Sequence, residues 1–119
     1  MKHTIDCPAE RAIYFLGGKW KIRILFSLLN NKKIRFGELK KGLKTITQQM
    51  LSKQLKELET DGIVNRKVYQ VVPPKVEYSL TEFGTSVMPI LKSFSEWNKR
   101  NTRTISVKLN KNFEESRII

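Results

Sequence analysis

The stretch Thr47-Gln48-Gln49-Met50-Leu51-Ser52-Lys53-Gln54-Leu55-Lys56-Glu57-Leu58-Glu59-Thr60, closed by Asp61-Gly62, is the most regular segment of the chain and decides its fold. Leu51, Leu55 and Leu58 recur at i, i+4 and i+7, the spacing of one buried helical stripe. Thr47 stands where an N-cap belongs, and the Thr45-Ile46-Thr47 run ahead of it is β-branched and breaks any earlier helix. Gln48, Gln49, Ser52, Lys53 and Lys56 fall off the leucine stripe and make a polar face that begins in the first turn. Gln offers a paired donor and acceptor that suits adenine, Lys donates to guanine or phosphate, and Ser and Thr serve either. A helix that reads a major groove does so mainly with its N-terminal residues. Any amphipathic helix has a polar face, however, so the neighbouring elements must decide whether this one reads bases.

Upstream, Phe36, Leu39 and Leu43 predict a short helix over about 35–43, separated from the leucine helix by a short turn. Before it, Trp20, Ile24, Leu25 and Leu28 predict a helix over about 19–29, stopped by Asn30-Asn31. A first helix opens at Pro8 and closes at Gly17-Gly18. Downstream the period changes to two. Residues 63–69 and 76–80 are rich in β-branched and aromatic side chains and predict two strands joined by Gln70-Val71-Val72-Pro73-Pro74-Lys75, a stiff extended tip. A last helix starts after Thr81, with Pro89 expected to kink or divide it. Beyond about Arg100 the periodicity fades and no element is assigned.

The order of elements is that of a helix-turn-helix unit followed by a β wing. The fold class expected is mainly α with a small β-hairpin (α+β), a winged helix-turn-helix with extra N- and C-terminal helices. Residues 1–100 form one domain on this reading, and 101–119 a basic tail. Thr47, Gln48, Gln49, Ser52 and Lys53 are the expected base-reading residues. Arg35, Arg66, Lys67 and Lys75 are the expected backbone contacts from the wing and its surroundings, with Tyr69 between the wing cations. Such contacts position a protein without specifying sequence. Arg35 has a second option, an ion pair with Glu38.

Charge agrees with a polyanionic partner. The 119 residues hold 23 Lys and Arg against 11 Asp and Glu, a net +12. Residues 1–46 carry +8, residues 47–80 only +1 and residues 81–119 +3. The helix expected to read bases therefore lies in the least charged part of the chain. With 39% hydrophobic residues and a mean hydropathy of −0.40, the chain can bury a core, and it has no apolar run long enough to span a membrane. No apolar run follows Lys2, so no secretory signal is expected. One cysteine excludes an internal disulfide, and one histidine leaves a His-based metal site or triad without its parts; His3 is given no role. With no phosphate-cradling glycine loop and no nucleophile–base pair either, neither an enzyme nor a cofactor or metal is expected. A basic RNA-binding or ribosome-associated module is the competing class. Its stacking aromatics would have to be Tyr69 and Tyr78.

The combination Cys7-Pro8, Gly17-Gly18-Lys19-Trp20, Arg35-Phe36-Gly37-Glu38-Leu39, Ile46-Thr47-Gln48-Gln49-Met50-Leu51, Leu55 through Arg66, Pro73 through Thr81, Gly84 and Trp97 resembles the HxlR-type winged-helix transcription regulators. The likeness runs over about residues 7–100. It implies a bacterial or archaeal cytoplasmic homodimer that binds a roughly palindromic operator in double-stranded DNA. In that family the first and closing helices make most of the dimer contact and the fourth enters the major groove. Carried over, the dimer surface is expected at Ile13, Tyr14 and Leu16 and at Ile90, Leu91, Phe94 and Trp97. Both segments are indeed broader in apolar character than one packing face requires. In some members a cysteine at the position of Cys7 senses electrophiles or oxidants. A thiolate here would face the helix N-terminus and Arg11 at i+4. A small-molecule effector and the operator sequence are not named by these residues.

Overall fold

The structure is a computed structural model, and it describes the backbone of residues 7–118 and side chains as far as residue 110. The expectations for Met1–Asp6, the missing secretory signal and the idle His3, lie outside the described residues. The chain divides into two units, one ending at Val87 and one beginning at Met88.

In the first unit, α1 (Pro8–Leu16) starts with proline at its first turn, where the absent N–H costs no bond. Gly17 ends it, donating its N–H to the Ile13 carbonyl at 2.6 Å. Trp20 then caps α2 (Lys21–Asn30), whose Ile24, Leu25 and Leu28 are buried. α3 (Phe36–Leu43) buries Leu39 and Leu43, and α4 (Gln48–Thr60) buries all three leucines of its stripe. With Ile46, Ile63 and Val64 these side chains form the core. Arg23 ties α2 to the end of α3, its guanidinium donating to the Leu43 carbonyl at 3.1 Å while lying 4.7 Å from the Trp20 ring centre. Lys21 pairs with Glu57 at 3.3 Å, linking α2 to α4.

The wing strands are β2 (Val64–Tyr69) and β3 (Lys75–Leu80), antiparallel, with Val64 opposite Leu80 and Tyr69 opposite Lys75. The sheet has a further member that local pattern does not predict, and its second residue, Arg35, is the one expected to open the third helix. β1 (Ile34–Arg35) pairs antiparallel with β3, Ile34 opposite Tyr78 and Arg35 opposite Glu77. The order β1-β3-β2 makes β3 the central strand, so the expected hairpin is a three-stranded sheet. Arg35 accordingly precedes α3 as extended backbone rather than opening it as helix.

Thr81 joins the wing to the next helix. Its hydroxyl donates to the Gly62 carbonyl at 2.6 Å and accepts from the Gly84 N–H at 2.9 Å, which caps α5 (Glu82–Thr85). Gly84 is buried against Ile63, and a Cβ there would collide with the Ile63 carbonyl oxygen. Pro89 divides the helix as expected: after the Ser86-Val87 turn, α6 (Met88–Arg100) begins with proline in its first turn.

In the second unit α6 leads into α7 (Thr102–Ile118), so the tail left unassigned from sequence is helical. The Asn101 N–H reaches the Trp97 carbonyl and the Ile105 N–H reaches the Asn101 carbonyl, so i→i−4 bonding is retained through the joint. No helix among the described residues is long and apolar enough to cross a membrane.

Candidate nucleic-acid interface

The leading turn of α4 is built by its cap. Thr47 sits in extended backbone, and its side-chain oxygen accepts the Met50 N–H at 3.1 Å. That oxygen is engaged, leaving Thr47 its hydroxyl proton to offer outward. Gln48 and Gln49, the first two helical residues, are exposed, as are Ser52 and Lys53. The leucines are sealed beneath them. The helix therefore presents its uncharged polar turn to solvent, in the geometry that reading a groove requires.

The wing is organised around Tyr69. Lys67 lies 4.9 Å and Lys75 4.8 Å from its ring centre. Period-two alternation and the register put Lys67, Tyr69, Lys75 and Glu77 on one face of the hairpin, with Lys67 directly opposite Glu77. Lys75 also pairs with Glu77 at 3.5 Å. The Glu77 carboxyl is held below the usual carboxylate range, chiefly by a hydrogen bond from the Tyr69 phenol and then by the Lys75 charge. Lys75 is thus already partnered. Lys67, Arg66 and Arg35 form no ion pair among the described residues, so the alternative Arg35–Glu38 pair is not made. Beyond the stack the tip exposes Val71, Val72, Pro73 and Pro74.

Tyr69 and Tyr78, the two wing aromatics on which an RNA-binding module would stack bases, form no open platform. Tyr78 is buried and Tyr69 is covered by two lysines. No cluster of His, Cys, Asp and Glu among the described residues could hold a metal.

Exposed apolar side chains occur on α1 and α6, and also on the wing (Val68, Val71, Val72), on α5 (Phe83) and on α7 (Val107, Leu109). Ile13 and Tyr14 stand open on α1, Tyr14 at 67% exposure, and Ile90, Phe94 and Trp97 on α6, Trp97 at 56%. Leu16 and Leu91 correct the expected set: they are 8% and 0% exposed in the single chain and have almost no surface left to give a partner. Cys7 stands at the N-cap position of α1 with its thiol exposed and making no capping bond, and the Arg11 backbone N–H donates to its carbonyl at 3.1 Å.

Two packed helices with a polar, exposed second member, followed by a wing with a basic rim, define a winged helix-turn-helix DNA-binding protein, a transcription regulator by class and not an enzyme. The profile of the HxlR-like helix-turn-helix family matches residues 15–106, and the chain belongs to that family. It is 48% identical over 101 residues to a helix-turn-helix-type transcriptional regulator of Halalkalibacterium halodurans, covering 85% of this chain and 89% of the relative. Among solved structures it is similar to the redox regulator HypR. The reduced form superposes with a TM-score of 0.80 at 46% identity, covering 85% of this chain and 99% of that one. The oxidised form gives 0.74 at 49% identity, covering 80% and 97%.

Proposed function

We propose that the protein is a sequence-specific regulator that binds a palindromic operator as a homodimer in the cytoplasm. The observation that carries this reading is the capped, exposed Gln48-Gln49 turn at the start of a helix whose other face is sealed in the core. Gln48, Gln49, Ser52 and Lys53 read base edges, with Thr47 ordering the turn. Arg35, Arg66 and Lys67 hold phosphates. Lys75 contributes less than its charge suggests, because Glu77 competes for it. Ile13 and Tyr14 on α1 and, separately, Ile90, Phe94 and Trp97 on α6 are exposed apolar groups offered to a second copy, since apolar patches are rarely left bare on a small protein.

Genome-wide mapping of bound DNA tests the reading. The expected result is a small set of sites sharing an inverted repeat, with half-sites about one helical turn apart. Sites without symmetry would overturn the dimer, and equal competition by duplex RNA would overturn DNA selectivity.

A redox response is supported by the likeness to a protein known in reduced and oxidised forms and by the exposed Cys7 thiol. With one cysteine per chain, oxidation by diamide would join Cys7 of two copies. The two thiols give up two electrons and two protons, and the azo bond of diamide takes them up as a hydrazine. Operator affinity is expected to fall after diamide and to stay constant in Cys7→Ser. An equal fall in both proteins would remove Cys7 from the response.

A further inference from the structure

A pocket of about 360 Å³ opens between α4 and the wing, lined by Ser52, Lys56, Glu59, Arg66 and Tyr78. Its size lies within the usual range of small-molecule sites, about 300–1,000 Å³. Ser52, Lys56 and Glu59 stand at i, i+4 and i+7 on one face of α4, and Arg66 and Tyr78 are direct cross-strand partners. Neither cation has an ion pair among the described residues, although Glu59 lines the same pocket. Tyr78 is 7% exposed, yet its phenol has no hydrogen-bond partner among the described residues. No buried side-chain oxygen or nitrogen is left unpaired among those residues, so the phenol oxygen keeps solvent contact, and Tyr78 lines the pocket.

We propose that this pocket binds a small organic anion that also carries a hydrogen-bond donor, such as a hydroxy-carboxylate, and that its occupation competes with DNA. Lys56 and Arg66 receive the anionic group. Glu59 accepts from the ligand's hydroxyl, and the Tyr78 phenol and Ser52 hydroxyl complete its polar contacts. A carboxylate in the wall repels a bare phosphate and rewards a ligand with a proton to give, which separates this site from a simple seat for the DNA backbone. Ser52 lies one turn beyond Gln48, so an occupant covers the face of α4 that leads from the base-reading turn. The competition rests on the reading of α4 given above; occupancy of the pocket does not.

The test is a ¹H–¹⁵N titration of the whole chain with 4-hydroxybenzoate, benzoate, phenol and dimethyl phosphate, which has no proton to give, at one pH and ionic strength, with DNA binding measured on the same samples. Saturable binding of 4-hydroxybenzoate is expected, with shifts at Ser52, Glu59, Arg66 and Tyr78 and affinity about tenfold above benzoate or phenol. Tyr78→Phe and Glu59→Gln should each reduce that advantage about tenfold while leaving DNA binding intact, and the ligand should displace DNA. No saturable shift below about 10 mM, equal binding of benzoate, or dimethyl phosphate binding as well as 4-hydroxybenzoate would overturn the proposal. If DNA still binds in those cases, the reading of α4 survives. Pocket binding in a protein that binds no DNA would overturn the competition and that reading together.

Discussion

Thr47 caps α4 and, on the proposed reading, orders the turn that reads bases. Its oxygen satisfies the Met50 N–H, one of the donors that a helix start leaves open. Thr47→Ala is expected to cost about 1 kcal/mol in chemical denaturation and to blunt sequence preference by fraying the turn that holds Gln48 and Gln49. Gly84 acts by lacking a side chain: Gly84→Ala drives a methyl into the Ile63 carbonyl, and a loss of at least about 1–3 kcal/mol is expected from the same measurement. Glu77 gives a pH signature. Its folded pKa is lowered, so its contribution is present above the unfolded carboxylate value and is lost as pH falls through the folded one. Tyr69→Phe removes the leading cause, and an NMR titration should show the Glu77 pKa rising toward the ordinary carboxylate value. An unmoved titration would mean that the charges of Lys75 and Lys33 hold it down without the phenol.

At the scale of elements, the parts legible in the sequence were those set by local pattern. The leucine spacing of α4, the proline at the start of α1, the interruption at Pro89 and the alternating strands of the wing each depend on a few adjacent residues. β1 escaped because two residues carry no period. Ile34 and Arg35 are strand only because β3 offers them a partner more than forty positions away. α7 escaped because its apolar residues do not form a stripe that separates a helix from a polar coil. The Tyr69 stack and the pocket under Tyr78 depend on strand register and on how α4 faces the sheet, and neither can be counted off along the chain. The expected site was brought together in part. Gln48 and Gln49 are exposed together at the head of α4, while Lys75 is drawn to Glu77.

For the whole molecule, the net charge of +12 and the near-neutral segment that contains α4 divide the work of binding. On the proposed reading, general attraction comes from the scaffold and discrimination from uncharged side chains. DNA affinity is therefore expected to fall steeply with salt, with a log–log slope of about −0.9 for each phosphate neutralised. Arg66→Ala should lower affinity for operator and unrelated duplex alike and make the slope shallower by about one contact. The measurement that bears most directly on the assignment of α4 is the ratio of operator to non-operator affinity at one fixed salt concentration, in the parent chain and in Gln48→Ala and Gln49→Ala. Each substitution is expected to reduce that ratio by the equivalent of about 1–3 kcal/mol while leaving non-operator binding unchanged. A ratio that survives both substitutions would contradict the reading of α4 as the element that recognises sequence.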